Sequence, residues 1–498
     1  RHAEVGDSAN DAVRVDAPEL RCKVVGEGGN LGFTQLARIE YARLGGRNDT
    51  DAIHNSAGVD TSDHEVNIKV CLAPLVRSGR LSLEERDALL AAMTDDVARL
   101  VLRDNDMQSQ AISLALRAAA EDEELFGSLL DYLVESAGLD RAVEVLPTAR
   151  QLAERRAEGV SFTRPELAVM LAYVKMGLYR RLLETELPDD PYLAHYLRDY
   201  FPPVMRERYQ EAIDAHQLRR EITATQITNA VVDLLGIEFV HRAVRQTGAT
   251  PVEVVRAALV AMELLGTQAF ADELQERDED LHPEAAYAAL RAMAQAVEGV
   301  VAWLLTTDMA RSPLGEVVAE YGAPLAELRR RLEGFLPTAE RRRFRSSVKQ
   351  YVKVGHDEAM AERVAALEYL PASVGVVEAA RAAGVELDVA ATAFFALGER
   401  LALGQVRDEL RALPTHGKWE KIAQTGTILD LRAAQQRLTT AYLRAAKDEP
   451  KLTVEGFLGR QPFLKRYDAA LRDLRVPGEL GLSGGAVLAR LLAHAHEA

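Results

Sequence analysis

Two short stretches of this sequence carry residue types suited to holding a small ligand. The first is Val24-Val25-Gly26-Glu27-Gly28-Gly29-Asn30-Leu31-Gly32-Phe33-Thr34, where an apolar run breaks into glycines and restarts as an amphipathic segment, Gln35 to Arg43. Glycine has no Cβ and accepts positive φ, so such a turn lets the backbone close on a ligand or on a packed helix. The second, Asn55-Ser56-Ala57-Gly58-Val59-Asp60-Thr61-Ser62-Asp63-His64-Glu65, joins a short strand-like run to a helix through small residues and a polar cluster. The glycine turn is not a pyrophosphate loop: Gly26-x-Gly28 is followed by Leu31 where that fingerprint wants Gly or Ala, and Gly32 comes one place late. Asp60, Asp63, His64 and Glu65 crowd one turn, but neighbouring helical residues point in different directions, and no metal centre is predicted.

The elements that must position these residues follow from the hydrophobic pattern. Strand, glycine turn, helix, strand, polar turn is half of a doubly wound nucleotide-binding domain, with strands expected near Val13, from Cys22 to Val25 and from Asp51 to Ile53. Beyond about Lys69 apolar residues return every three or four positions, as in Leu89, Leu90, Met93, Val97, Leu100 and Val101, and helices take over. Ser82-Leu83-Glu84-Glu85 and Thr250-Pro251-Val252-Glu253 carry the spacing of capping boxes and mark helix starts. The predicted fold class is therefore mixed. A remnant of a Rossmann-like α/β nucleotide-binding domain over residues 1–74 precedes a large all-α domain over 75–498, with a soft boundary near 275–282.

The same two stretches resemble the nicotinamide side of the glutamate dehydrogenases, where one strand ends in a Glu-Gly-Ala-Asn-like turn and a later one in Asn-Ala-Gly-Gly-Val-x-x-Ser. The run from Ala9-Asn10-Asp11-Ala12-Val13-Arg14-Val15 through Asn67-Ile68-Lys69 is similar to the large bacterial NAD-dependent branch. So are Leu187-Pro188-Asp189-Asp190-Pro191-Tyr192 and His216-Gln217-Leu218-Arg219-Arg220-Glu221-Ile222-Thr223-Ala224-Thr225. The resemblance is dense up to about Arg245 and thins afterwards. It implies NAD as cofactor, with Glu27, Gly28, Gly29, Asn30, Asn55 and Gly58 around the nicotinamide. Asn30 and Asn55 would face its amide, since a carboxamide needs both a donor and an acceptor. It also implies L-glutamate and 2-oxoglutarate as substrates, with Val59 against the carbon chain and Ser62 bonded to the distal carboxylate. Against that role stands the commoner fate of a serine near a helix start, a cap. His54 departs from the acid expected at its position, and Gly29 stands where many relatives carry Ala.

Because Arg1 falls in the middle of what reads as an α/β unit, the chain is expected to be a C-terminal fragment. The family's substrate-binding lysines and catalytic Asp would precede it. No catalytic residue is assigned, and the fragment alone is expected to be inactive. The family suggests a homotetramer.

Composition narrows the alternatives. The 498 residues are 48% hydrophobic and 6% aromatic, with a formal charge of -16. Such a chain repels a bare polyanion and offers few stacking platforms for bases, so no nucleic-acid partner is expected. The basic run Arg341-Arg342-Arg343-Phe344-Arg345 reads as a solvated helix face paired with nearby acids. Apolar stretches such as Val254 to Gly266 and Val300 to Leu305 are short or flanked by charge, as core helices are, and no membrane span is expected. Cys22 and Cys71, the only cysteines, read as buried reduced thiols of a cytoplasmic protein. The competing readings are a non-catalytic helical module for oligomerisation or regulation, and a related amino-acid dehydrogenase.

Overall fold

A computed structural model describes residues 6, 8–29, 32–277, 281–415, 417–474 and 480–493. Among the described residues the chain is all-α and contains no strand, which corrects the mixed α/β expectation. Val13 lies in an exposed turn. Cys22 to Val25 bends at Lys23, and its pairing stops at an isolated parallel bridge between Val24 and Arg47. There Val25 N–H donates to Arg47 O at 2.9 Å and Arg47 N–H to Lys23 O at 2.8 Å. Val24 is 64% exposed, so the run has neither the lateral ladder nor the covered face that stabilises a strand. Asp51 to Ile53 belongs to a one-turn helix, with the Asp51 carboxylate accepting from Ala52 N–H at 3.0 Å.

The chain divides into two compact units, Arg1–His241 and Arg242–Ala498. In the first, α1 (Gln35–Arg43), α2 (Asp51–His54), α3 (Ser56–Arg77), α4 (Thr94–Glu121), α5 (Arg164–Leu183) and α6 (Arg219–Leu235) position the candidate site. Helix α3 packs on α4, α4 on α5, and α5 on both α1 and α6. The apolar residues of α3 recur at Ile68, Cys71, Leu72 and Leu75, one buried stripe at three- and four-residue spacing. That stripe joins Met93, Leu197, Phe201 and Met205 in one core.

The second unit includes α7 (Pro251–Leu265), α8 (Pro283–Leu305), α9 (Thr338–Val354), α10 (Leu370–Ala383), α11 (Leu387–Arg400), α12 (Leu403–Ala412) and α13 (Gly417–Asp448). Helix α7 starts at Thr250, whose hydroxyl accepts from Glu253 N–H at 3.3 Å while Glu253 Oε2 accepts from Thr250 N–H at 2.8 Å. Leu431 and Leu438 of α13 are buried against Leu397, Leu403, Val406 and Leu410 of the two preceding helices. Among the described residues α8 alone is long and apolar enough by itself to cross a membrane, and 56% of its most apolar stretch is buried inside the protein. Residues 278–280 of the expected soft boundary lie outside the described residues. The basic run lies on α9, where Arg343 pairs with Glu340 and Asp408, and Arg345 with Glu333 and Glu362.

Candidate functional site

The glycine turn is fixed by the one side chain that is buried among its described residues. Glu27, 5% exposed, takes a bidentate pair from Arg38 of α1, with Nε to Oε1 at 2.6 Å and Nη2 to Oε2 at 2.7 Å. Arg38 also reaches Asp51 Oδ1 at 3.0 Å. Burial alone would lower the Arg38 guanidinium, but Glu27 and Asp51 outweigh it and raise its pKa. Glu27 N–H donates to His54 Nδ1 at 3.2 Å, so the imidazole proton sits on Nε2, which faces Asp49 Oδ2 at 3.3 Å. Asp49, 2% exposed, is held on its other side by Arg164, with Nε to Oδ1 at 2.8 Å and Nη2 to Oδ2 at 3.1 Å. Arg164 occupies the first turn of α5, whose start is set by Glu166 accepting from Thr163 N–H at 2.8 Å.

Asn55 links α2 to α3. Its N–H donates to Asp51 O at 2.8 Å and its carbonyl accepts from Gly58 N–H and Val59 N–H at 3.0 and 3.1 Å. A Cβ on Gly58 would collide with Asn55 Oδ1, so glycine is what lets the Asn55 carboxamide lie over the start of the helix. Val59 is 63% exposed, and the Ser62 hydroxyl, also exposed, donates to Val59 O at 2.6 Å. Asn55, Gly58, Val59 and Ser62 stand at intervals of three and four residues and form one stripe, opposite the buried one. Gly28 and Gly29 are exposed, and among the described residues no atom beyond their chain neighbours lies within 4 Å of the place a Cβ would occupy. Asn30 lies outside the described residues.

A third stripe of α3 faces inward. His64 stacks on Tyr200, ring centroids 4.2 Å apart, and neither of its buried ring nitrogens has a hydrogen-bond partner. Tyr200 OH donates to Asp63 Oδ2 and accepts from Asn67 Nδ2, both at 2.9 Å. Asp60 and His64, four residues apart, meet Asp104 of α4, one ligand atom from each lying within 4.8 Å of the others. Burial and the charges of Asp104 and Asp63 push the Asp60 carboxyl up to about 7. Burial raises Asp104 to about 6 against the pull of Lys175, and lowers His64 to about 4. Two carboxylates and one imidazole give a cation three protein ligands, and the nearby Lys175 ammonium works against one. Arg38, Arg164 and Asp104 were not singled out in the sequence. Arg38 meets Glu27 across 11 residues and Arg164 meets Asp49 across 115, and no local spacing announces those pairs.

A family model described as glutamate dehydrogenase, C-terminal, matches residues 159–494, more than half of the chain. One described as bacterial NAD-glutamate dehydrogenase, catalytic domain, matches residues 1–115. The chain belongs to the large bacterial NAD-specific glutamate dehydrogenases. An NAD-specific glutamate dehydrogenase of Pseudomonas aeruginosa is 36% identical over 479 residues, which cover 95% of this chain and 29% of that protein. Its counterpart in Mycobacterium tuberculosis is 34% identical over 493 residues, 98% of this chain and 30% of that protein. The chain thus spans under a third of the length of these curated relatives. The match to the glutamate dehydrogenases continues well past Arg245, so the helical second unit belongs to the family as much as the first. The glycine turn and the exposed stripe of α3 both fall within the catalytic-domain match.

Proposed function

We propose that this chain forms part of the nicotinamide and glutamate wall of an NAD-dependent glutamate dehydrogenase, which interconverts L-glutamate with 2-oxoglutarate and ammonia. The observation that carries this reading is the exposed stripe of α3, which presents a carboxamide, a backbone without Cβ, an apolar side chain and a hydroxyl in register. Asn55 would pair with the carboxamide of the nicotinamide, as would Asn30 on the strength of the resemblance. The backbone of Glu27, Gly28, Gly29 and Gly58 would form the wall, and the open space over Gly28 and Gly29 fits close approach of a flat ring. NAD, when bound, takes the hydride from Cα of glutamate.

Val59 would contact the carbon chain of glutamate. Ser62 would turn its hydroxyl hydrogen from Val59 O to the distal carboxylate, exchanging a neutral acceptor for a charged one. No proton-transfer role falls to a residue of this chain. The exposed start of α3 would then serve to orient ligands, in an enzyme assembled as a homo-oligomer in a reducing, cytoplasmic compartment.

Ser62→Ala in a full-length enzyme tests the assignment. A hydrogen bond to a charged group is worth roughly 1.5–3 kcal/mol, so kcat/KM for glutamate should fall roughly ten- to hundredfold. Unchanged kcat/KM would leave Ser62 a hydroxyl bonded to its own helix and remove the substrate role. Assaying branched and aromatic amino acids in parallel separates a glutamate enzyme from a related dehydrogenase.

A further inference from the structure

The second unit contains a cavity of about 600 Å³ walled by α8, α9, α10, α11, α12 and α13. That volume suits a small organic ligand, for which clefts of roughly 300–1,000 Å³ are usual. Four arginines line it: Arg343 from α9, which is paired with Glu340 and Asp408, Arg407 and Arg411 from α12, and Arg432 from α13. Arg407 Nη1 donates to Gln435 Oε1 at 2.7 Å, and Arg432 Nη1 to Gly299 O at 3.4 Å. Both partners are neutral, and Arg432 Nε is buried with no hydrogen-bond partner among the described residues. Gln435 is itself held, its Nε2 donating to Phe394 O at 2.9 Å, so Arg407 is aimed by a fixed acceptor.

Acids also line the cavity, but each has a partner other than Arg407 and Arg432. Glu298 pairs with Arg242 at 3.0 Å, and Glu399 accepts from Ala339 N–H at 2.7 Å. Glu368 accepts from Ser347 Oγ at 2.8 Å. Glu340 pairs with Arg343 at 3.0 Å, and Asp408 with both Arg343 and Arg411. Among the described residues, Arg407 and Arg432 have no carboxylate in an ion pair. Burial and the neighbouring cations lower the proton affinity of Arg432 and of Arg407, the latter to about 10. Arg407 and Arg432, gathered beside further cations without an ion-paired carboxylate of their own, are unfavourably placed, and a ligand bringing negative charge would offset that cost.

We propose that this cavity binds a small molecule carrying two or more carboxylate or phosphate groups, paired with Arg407 and Arg432, with Arg411 as the third cation. The test is calorimetric titration of the whole 498-residue chain with pyrophosphate and with tricarballylate, at ionic strength held constant with sodium chloride. Acetate serves as the monoanionic control. At least one polyanion should bind saturably at one site, and roughly tenfold or more tighter than acetate; which one does distinguishes a phosphate from a carboxylate ligand. Arg407→Gln and Arg432→Gln should each weaken it by roughly tenfold, whereas the exposed Arg150→Gln should not. Binding of neither probe, or equal binding to wild type and both variants, would overturn the assignment. Should a variant fail to fold, the wild type still decides. A bound polyanion raises its Tm where chloride at equal ionic strength does not, and absence of that shift counts against the site.

Discussion

Asp49 shows how a buried carboxylate can hold a surface turn in place. It joins His54, and through it the backbone of Glu27, to Arg164 at the start of α5. Burial alone would raise its pKa, but the hydrogen bond from His54 and the charge and hydrogen bonds of Arg164 outweigh that and lower it. The folded pKa is therefore below the unfolded one, so the stabilisation is present above the unfolded value of about 3.9 and lost as pH falls through the folded value. Asp49→Asn should cost about 3 kcal/mol near neutral pH, the scale for breaking a buried pair. The gap in urea midpoint between wild type and variant should stay level from about pH 5 to 8 and narrow below about pH 4. A gap that widened in acid would contradict this sign.

Gly58 offers a second test at the same scale. Gly58→Ala puts a methyl group where Asn55 Oδ1 now lies, forcing the carboxamide away at a cost of about 1–3 kcal/mol. In a full-length enzyme KM for NAD should rise while the fold persists by circular dichroism. An unchanged KM would take Asn55 out of the nicotinamide wall.

At the scale of elements, local chemistry was readable and pairing was not. The Thr250 capping box was visible as four consecutive residues and forms as expected, because its atoms lie within one turn. Thr250→Ala should cost about 1 kcal/mol by thermal melting, and a loss near zero would mean that packing of α7 alone sets its start. Asn55, Gly58, Val59 and Ser62 were named on the resemblance alone; that they share one stripe follows from the helix beginning at Ser56. The strands were misread because Val24 and Val25 have the composition of a strand but, beyond Arg47, no neighbouring strand pairs with them among the described residues. Asp51 to Ile53 was misread because an acid followed by apolar residues suits the first turn of a helix as well as a strand end. The meeting of Asp104 with Asp60 and His64, and the arginine cavity, depend on how α4 meets α3 and how α12 meets α13. No window of sequence encodes that.

For the molecule as a whole, the two thiols divide sharply. Cys71 is 2% exposed, and burial pushes its thiol up to about 12. Cys22 was expected to be buried but is exposed, because the run that carries it is uncovered. At pH 8 a pKa near 12 leaves only about one Cys71 in ten thousand as thiolate, the form that reacts. Ellman's reagent should therefore titrate one thiol in the native chain and two in guanidinium. Two fast thiols in the native chain would mean that the α3 core opens readily.

That asymmetry turns Cys22 into an optical handle. It lies five residues before Glu27, its sulfur 3.7 Å from the Tyr41 hydroxyl, which in turn donates to the Cys22 carbonyl at 2.7 Å. A maleimide fluorophore attached there would ride on the backbone leading into the glycine turn while leaving the charged network beneath it untouched. In a full-length relative bearing the same single surface thiol, its emission would follow dinucleotide arrival in real time, separately from turnover.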